Sequence, residues 1–536
     1  KYDAQGISGL INIKSKQRST SGFNGVVVST NSMGRKFRSS NNLSFNLKKE
    51  RFTFFTNAAY SYNDFWTRGE FDRTLFDTLT INSLQIGGNK KSSFNFNGGM
   101  EFDLTPMSVI GLSVNGDISR TDLLSTSETV ASDSLGLGYD YFTNNTGGKE
   151  KYNFVTTGLF FKSFLDSLGS SIDYSGDVSF FKYNLPQNNT NAFFFSDNTE
   201  ASPSLGYLNE IDLDFMVMTN KIDYSKVFSP KWTLGLGLKN SIVDNANDLQ
   251  LRSSTGGSAW ALDSSLTNYF TYDEMINAGY ISGRYTLQKF VFNGGVRAEH
   301  TTFSGKNRTT GSDVDRSYFN LFPSFSVDYQ PNAKNIMQIS YSYRIDRPAF
   351  EQMVPGRIFS NQLSYSVGNP QLLPQYSHNV NFEHYYKNLI GNSVNYTHID
   401  NSIFGYSYTD NNSQINIDTT INFASRDMLA YTFMIQKQIG KVYRFQFSAM
   451  GIFSAFNGDV NNSSVSTAAV ASSLNLGNDF FLPKGYRLQL NMRFQTPFRE
   501  GIQFSSPIGA VSFAVRKKFF NDKLSTVLGV SDIFFT

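Results

Sequence analysis

The sequence predicts an all-β protein, and specifically a transmembrane antiparallel up-and-down β-barrel of about 22 strands. Apolar and polar residues alternate over many segments, which is the pattern of a strand with one dry face and one wet face. No apolar run approaches the roughly 20 residues that a membrane-spanning helix needs. Tight turns and long polar connections follow each other along the chain, as they do in a meander that crosses a membrane.

The composition of the 536 residues excludes several classes of protein. Lysine and arginine (47) nearly balance aspartate and glutamate (44), so nothing indicates nucleic acid as a partner. The chain has no cysteine, which excludes a disulfide framework and cysteine metal sites. Of the four histidines, His378 and His398 are expected to lie close together if 375–386 and 391–402 form a hairpin. Because a metal centre needs three or four converging ligands, we expect no metal and no other cofactor.

The alternation itself predicts individual strands. In 486–494 the apolar side chains of Tyr486, Leu488 and Leu490 alternate with Arg487 and Gln489, and the pattern continues to the end without exception. The same pattern predicts strands at 94–104, 107–118, 289–300, 338–346 and 442–453. In a barrel, every second side chain of a strand faces lipid, and the side chains between them face a water-filled interior. We call these two alternating sets the two parities of the strand.

The connections predict how the strands are joined. Ten tight turns are expected at 48–51, 103–106, 166–169, 229–230, 288–289, 330–332, 387–388, 440–441, 483–485 and 521–522. Long polar loops are expected around 121–150, 185–207, 243–272, 303–316, 346–374 and 454–470. Ten turns join about 21 strands, so we expect an even-stranded barrel whose last strand is missing from the sequence as it stands.

Two soluble alternatives fit the strands less well. A propeller would show a repeat of fixed period, and none is present. A large open sheet would leave unpaired edges and an apolar face exposed to water. Closure removes the edges and lipid covers the face, which favours the membrane barrel.

The first residues carry a recognisable motif. The stretch KYDAQGISGLINIKSKQ resembles the end of the plug domain of TonB-dependent outer-membrane receptors, which has the form Y-D-A-x-G-x-x-G-x-I-N-I. The matching residues are Tyr2, Asp3, Ala4, Gly6, Gly9, Ile11, Asn12 and Ile13. The resemblance implies that 1–20 are the C-terminal end of a plug and a linker, and that 21–536 are a barrel with long external loops.

A second motif lies in the middle of the chain. SYSYRIDRP at 340–348 and VGNPQLLPQY at 367–376 resemble the mid-barrel region of these receptors in their Bacteroidetes-type form. The strand FNGGVRAEHT at 292–301 is similar to another segment of that family. The chain departs from the pattern at Tyr343 and Arg344, where the family often has two arginines.

The register of this region follows from the cost of burying charge. Ile339, Tyr341, Tyr343 and Ile345 share one parity, and the two tyrosines are expected to face lipid near the outer aromatic girdle. Arg344 and Asp346 then face the lumen, and Pro348 ends the strand because it cannot donate to the ladder. A slip of one residue would place Arg344 in lipid at a cost of about 2–4 kcal/mol near the bilayer midplane.

Two groups of residues are candidates for function. The first group consists of charged side chains expected to face the lumen: Glu101, Asp103, Arg297, Glu299, Arg344, Asp346, Arg444, Arg487 and Arg493. They either keep the interior solvated through salt bridges or form a docking surface for a plug and a route for a solute. The two roles are compatible. Aromatic residues in or beside the expected external loops either grip a ligand or bury one another: Tyr139, Tyr141, Phe194, Trp260 and Tyr272 lead this group.

The resemblance implies a location and an activity. The chain would be a multi-pass β-barrel of the bacterial outer membrane that imports an unidentified solute, with energy from the TonB–ExbB–ExbD complex. The alternative is a structural barrel in a larger outer-membrane assembly for secretion or protein insertion, with a surface lipoprotein or other proteins as partners. A passive porin is a weaker alternative, because porin-type barrels lack the plug-end motif. No nucleophile elbow, P-loop or paired-carboxylate signature occurs, so we do not expect an enzyme.

Overall fold

The computed structural model describes residues 21–75, 79–131, 140–410, 415–460, 463–500 and 503–534. The predicted plug end at 1–20, with Tyr2, Asp3 and the rest of its motif, lies outside these residues, as does Tyr139. Within the described part, no helix is long and apolar enough to cross a membrane.

Almost all of the described chain is β-strand. The elements are β1 (Gly22–Met33), β2 (Phe37–Lys49), β3 (Phe52–Leu75), β4 (Leu79–Thr105), β5 (Ser108–Ala131), β6 (Tyr141–Phe164), β7 (Ser171–Phe194), β8 (Glu200–Ser229), β9 (Trp232–Thr255), β10 (Ala261–Leu262), β11 (Asn268–Leu287), β12 (Phe290–Asn307), β13 (Ser312–Asn332), β14 (Asn335–Asp346), α1 (Phe350–Met353), β15 (Arg357–Asn361), β16 (Ser364–Val367), β17 (Gln375–Tyr386), β18 (Ile390–Thr409), β19 (Asn416–Ile439), β20 (Tyr443–Val460), β21 (Ser463–Leu482), a 3-10 turn (Pro483–Gly485), β22 (Tyr486–Gln495), β23 (Phe498–Glu500), β24 (Gln503–Ser505), β25 (Ile508–Phe519) and β26 (Leu524–Val530).

The strands form the predicted up-and-down antiparallel sheet, which we call the wall. The main sheet has 24 strands, of which β10, β15 and β16 are short pieces in connections, and the other 21 follow one another antiparallel in chain order. Within the described residues, β1 pairs with β2 and β26 pairs with β25, and neither has a second neighbour. The all-β up-and-down architecture and a strand number near 22 are therefore confirmed.

The ten predicted tight turns are confirmed, each lying between two paired strands of the wall. Five of these turns place a residue other than glycine in the left-handed region: Glu50 (φ 50°) after β2, Gln288 (φ 51°) after β11, Lys387 (φ 53°) after β17, Lys484 (φ 61°) after β21, and Phe520 (φ 52°) after β25. Because the wall is a meander, all ten turns lie at one end of it. In outer-membrane barrels that end faces the periplasm.

The predicted long loops are wrong for most of their length. The region 121–150 consists of the end of β5 and the start of β6, joined by 132–140, and the region 185–207 is mostly β7 and β8. Several other links at this end are short, as at 34–36 and 308–311. The strands extend well past the membrane: β8 has 30 residues, whereas a crossing needs about 9–11. Above the membrane, both faces of a hairpin can be polar. Strand pairing therefore continues there even though apolar and polar residues no longer alternate regularly in the sequence.

The two faces of β9 show how the wall is organised. Its outward side chains near the turn end are apolar and exposed, with Leu238 at 64%, as expected for contact with lipid. The inward side chains at this level include Lys239 and Ser241. Further from the turns, the inward side chains of Leu249 and Leu251 are completely buried. The interior is therefore polar near the turn end and packed near the loop end.

One detail of the register differs from expectation. Tyr341 lies opposite the exposed Phe325 and Val380, in keeping with an outward position. Ile345, on the same parity, is only 1% exposed and packs against the buried Phe322. The pairing of β14 with β13 ends at Ser342, so the last residues of the strand are free to turn inward.

Candidate functional site

The packed part of the interior is made by one connection. Residues 347–374, between β14 and β17, contain α1, β15 and β16, and we call them the inner segment. Residues 364–366 of the inner segment pair in parallel with 416–418 of β19. Other parts of it contact β6, β7, β8 and β9, so the segment extends from one side of the barrel wall to another.

Three buried asparagines hold the middle of the inner segment. The backbone oxygen of Phe359 accepts hydrogen bonds from Asn189 Nδ2 (2.9 Å) and Asn209 Nδ2 (3.1 Å). The backbone oxygen of Ser360 accepts one from Asn144 Nδ2 (2.6 Å). Asn189 and Asn209 are completely buried and Asn144 nearly so. Because a buried amide without a partner is costly, these contacts favour the docked position of the segment.

Apolar packing reinforces this attachment. Phe350, Met353 and Leu372 of the inner segment form one buried cluster with wall residues such as Phe270 and Tyr272. Further along, the ring of Phe359 stacks on Tyr207, with 4.9 Å between centroids. Full burial of side chains of this size stabilises by about 1.5–3 kcal/mol each, so the cluster is a substantial part of the attachment.

An ionic cluster fixes the start of the inner segment. Arg347 Nη2 donates to Glu299 Oε2 (2.9 Å) and Thr301 Oγ1 (2.8 Å), and Arg347 Nε donates to the Tyr318 hydroxyl (3.2 Å) and lies 3.6 Å from Glu274 Oε1. Burial alone would lower the pKa of Arg347, but Tyr318, Glu299 and Glu274 raise it above its ordinary value. The guanidinium is therefore charged in its buried position.

A neighbouring ion pair extends this cluster along β12. Arg297 Nε lies 2.5 Å from Glu299 Oε1, and both side chains are almost fully buried. Removing one partner of a buried ion pair typically costs about 3–5 kcal/mol.

The end of the inner segment is held mainly through its backbone. Arg316 donates to the carbonyl oxygens of Leu372 and Pro370. Asn422 accepts from the backbone N–H of Leu373 (2.8 Å) and donates to its carbonyl (2.9 Å). At Gly368 an added Cβ would lie 2.4 Å from the carbonyl oxygen of Val354, so only glycine permits this close approach.

A cavity of about 610 Å³ lies between the inner segment and the wall, and we call it the segment cavity. Its wall side carries the aromatic rings of Tyr152, Phe181 and Tyr183, together with Asn247. Its remaining lining is Ile211, Leu213, Leu249, Glu351, Gln352, Val354, Gly356, Ile358, Ser366, Val367, Gly368, Asp418, Thr419 and Thr420. The volume falls within the roughly 300–1,000 Å³ of small-molecule sites.

A family comparison decides what kind of barrel this is. Residues 163–536, most of the chain, match the model of the outer membrane protein beta-barrel family. The chain belongs to that family. It is accordingly a β-barrel of the bacterial outer membrane. Among proteins with curated descriptions, none matches the sequence.

Solved structures share the fold at low sequence identity. The alcaligin outer membrane receptor FauA from Bordetella pertussis aligns at 14% identity with a TM-score of 0.56, over 96% of this chain and 74% of that chain. A mutant of the ferric enterobactin receptor PfeA from Pseudomonas aeruginosa, in complex with enterobactin, aligns at 13% identity with a TM-score of 0.61, over 97% of this chain and 76% of that chain. The iron transporter FrpB from Neisseria meningitidis aligns at 12% identity with a TM-score of 0.60, over 96% of this chain and 76% of that chain. At these identities the similarity establishes the fold alone.

The structure of this outer-membrane barrel brings together two of the predicted luminal charges. Arg297 and Glu299 lie in the Arg347 cluster. The others are spread around the wall in separate contacts: Asp103 with Lys48 (3.5 Å), Asp346 with Gln375 (3.1 Å), Arg344 with Ser342 (3.1 Å), Arg444 with Gln438 (3.3 Å) and Arg487 with Asp479 (2.6 Å). Glu101 lies on β4, and Arg493 is exposed on β22. They form no single site.

The predicted loop aromatics are also separated in the barrel. Tyr141 and Phe194 are register partners on β6 and β7 and stack at 5.1 Å. Trp260 is 40% exposed and lies close to Gly206. Tyr272 lies within β11 rather than in a loop, and it is buried beside Phe350.

His378 and His398 lie directly opposite each other on β17 and β18, as the hairpin predicted. His378 Nδ1 is 2.9 Å from the hydroxyl of Tyr341, and His398 Nδ1 is 2.8 Å from Asp427 Oδ1. Within the described ranges, no group of three or more histidine, aspartate or glutamate side chains could hold a metal ion.

Sequence reasoning missed the residues that attach the inner segment. Arg347 falls at the predicted end of a strand, Asn144 and Asn189 fall in regions predicted as polar loops, and Asn209 lies two residues beyond one of those regions. A usable signal was the dense run of amides in PQNNTN at 186–191, because amides are suited to binding an irregular backbone.

Proposed function

We propose that this chain is the barrel of a TonB-dependent receptor that imports a solute across the outer membrane. The observation that carries the proposal is the inner segment, which occupies the loop end of the lumen and leaves a solute-sized cavity beside it. A segment buried across the interior narrows the lumen and lines a cavity at its outer end. This suits a receptor, because a receptor must bind a scarce solute on the outer side before passing it inward.

The width of the barrel supports the same proposal. A barrel of about 22 strands encloses a lumen too wide to be left open, and barrels of this size are plugged. We infer that 1–20 end such a plug, and that residues 21–536 form the barrel around it. Luminal charges on the periplasmic half, such as Arg487 and Asp479, would then contact the plug. The energy source is taken to be the TonB–ExbB–ExbD complex, through the resemblance of the first residues to a plug end.

The test is uptake by living cells. A strain lacking this gene should accumulate less of one solute from the medium than its parent, and removal of TonB from the parent should cause the same loss. Reintroduced wild-type protein should restore uptake only where TonB is present. Uptake that is unchanged by both deletions, together with a partner protein that co-purifies at a fixed ratio, would instead support the structural alternative.

A further inference from the structure

The segment cavity carries charge of one sign. Its lining includes the acidic residues Glu351 and Asp418 and, among the residues that the structure describes, no lysine, arginine or histidine. Asp418 accepts hydrogen bonds from Ser407 and Asn416, which are neutral. Arg357 is adjacent in sequence to the lining, but its guanidinium lies 5.2 Å over the ring of Tyr365. The cavity therefore disfavours an anionic solute by Coulomb repulsion.

The polar groups of the cavity select for hydrogen-bond donors. Asn247 is 8% exposed, and its side-chain oxygen has no hydrogen-bond partner within the described part of the chain. A buried amide oxygen gains most from a donor that enters the cavity. Gln352, Thr419 and Thr420 add further amide and hydroxyl groups on the side of the inner segment and β19.

The aromatic residues of the cavity provide flat apolar faces. The rings of Phe181 and Tyr183 are parallel to within 4°, with centroids 6.5 Å apart, and Tyr152 meets Phe181 edge-on at 5.0 Å. The face of an aromatic ring is the negative pole of its quadrupole, so it attracts C–H groups and cations. Aromatic faces, amides and carboxylates together suit a molecule with an apolar face and many hydroxyl or ammonium donors.

We propose that the segment cavity binds a polyhydroxylated solute that is uncharged or cationic, of the size of a short oligosaccharide, and that it excludes anionic solutes. This rests on the proposed function, because it names the class of solute that the receptor would carry. The electrostatics of the lining predict that a cationic solute binds best and an anionic one worst.

The experiment uses three trisaccharides of similar size and different charge. Full-length protein purified in detergent is titrated by calorimetry with maltotriose, which is neutral, with the trimer of glucosamine, which is cationic, and with trigalacturonate, which is anionic. We expect the glucosamine trimer to bind most tightly and trigalacturonate to bind at least about tenfold more weakly than maltotriose. Equal or tighter binding of trigalacturonate would overturn the inference, and so would the absence of binding by all three.

Variants locate the effect in the cavity. Glu351→Lys should raise the affinity for trigalacturonate by about tenfold or more and lower that for the glucosamine trimer. Asp214→Asn, on the outward face of β8 and paired with Lys182, removes a charge of the same sign elsewhere and should change neither affinity. If both variants behave alike, the charge preference does not arise in the cavity.

The outcome is separable from that of the proposed function. The titration needs neither TonB nor a living cell. Uptake that proves independent of TonB would overturn the proposed function and leave the charge preference intact, whereas tight binding of trigalacturonate would overturn the charge preference alone.

Discussion

At the scale of single residues, Arg347 decides where the inner segment begins. It follows directly after the end of β14. Its guanidinium contacts three strands of the wall, through Glu274 on β11, Glu299 on β12 and Tyr318 on β13. Pro348 follows and cannot continue the ladder. The motif R-I-D-R-P at 344–348 therefore works as an inward turn with an ionic anchor as well as the end of a strand.

Removing this anchor should loosen the inner segment. Arg347→Ala leaves the largely buried Glu274 without its cation and Glu299 with Arg297 alone, which should cost about 3–5 kcal/mol of the docked state. A cysteine placed at Met353, which is only 2% exposed in the inner segment, reports the change, since the natural chain has no cysteine. Reaction of that cysteine with a water-soluble maleimide should become faster in the Arg347→Ala background.

The matched control for this measurement is Arg357→Ala. Arg357 is exposed, and its described contact is with the ring of Tyr365. Its removal should leave the reaction rate of the cysteine close to the original value. An equal acceleration by both variants would mean that the ionic cluster does not hold the segment.

A second residue-scale prediction concerns a periplasmic turn. Asp166 accepts hydrogen bonds from the backbone of Leu168 (3.1 Å) and Ser170 (3.0 Å) and pairs with Lys226 (3.0 Å). The hydrogen bonds from Ser170, followed by Lys226, hold the pKa of Asp166 far below its usual range. A carboxyl with a depressed pKa stabilises the fold at every pH above its ordinary value, and this is lost only as the pH falls through the depressed value.

Asp166→Asn should therefore lower the melting temperature of the purified barrel at neutral pH. The difference from wild type should persist in mild acid and shrink only in strong acid. Asp522→Asn, in another turn and paired with the exposed Lys518, is the comparison and should have a smaller effect. A difference that disappears already in mild acid would show that the turn does not hold the carboxylate as described.

At the scale of elements, the inner segment is attached along its whole length. Arg347 holds its start, the asparagines hold its middle, and Arg316 with Asn422 holds its end. Contacts of this density are typical of a fixed partition rather than of a mobile external loop. Under the proposed function, we therefore expect solute to pass beside the inner segment while the segment stays in place.

A disulfide tests this prediction directly. Asn144→Cys with Ser360→Cys places one cysteine on the wall and one on the inner segment, at the two residues joined by the hydrogen bond from Asn144 Nδ2 to the backbone oxygen of Ser360 (2.6 Å). The oxidised double variant should take up solute at the rate of its reduced form. A loss of uptake on oxidation that a reductant reverses would mean that the segment must move.

The sequence correctly predicted the strands that face lipid and the tight turns that join them. The alternation of 486–494 and the turn at 387–388 follow from local rules. Lipid requires one apolar face, and the three-residue link between β17 and β18 requires residues that suit a turn. Sequence reasoning failed for the hairpins above the membrane, such as β7 with β8, where no lipid requires an apolar outward face and the regular alternation is lost. It also failed for the inner segment, since its partners lie as far away in sequence as Asn144 does from Ser360.

At the scale of the whole molecule, the barrel has two zones. Near the periplasmic turns, the outward parity is apolar and the inward parity is polar, as at Leu238 and Ser241 of β9. Near the loops, the inward parity becomes apolar or amide-rich and supports the inner segment, as at Leu249 and Asn247. Under the proposed function, solute binding and solute passage would take place at different depths of one wall.

The most direct test of this organisation is the facing of one strand. Single cysteines at Leu238 and Ser241 of β9 are labelled in protein reconstituted into lipid vesicles, with a water-soluble maleimide and, separately, with a fluorophore that brominated lipids quench. The account predicts that the maleimide reacts at 241 and spares 238, and that brominated lipid quenches the fluorophore at 238 and not at 241. The reverse pattern, or equal reactivity at both positions, would contradict it.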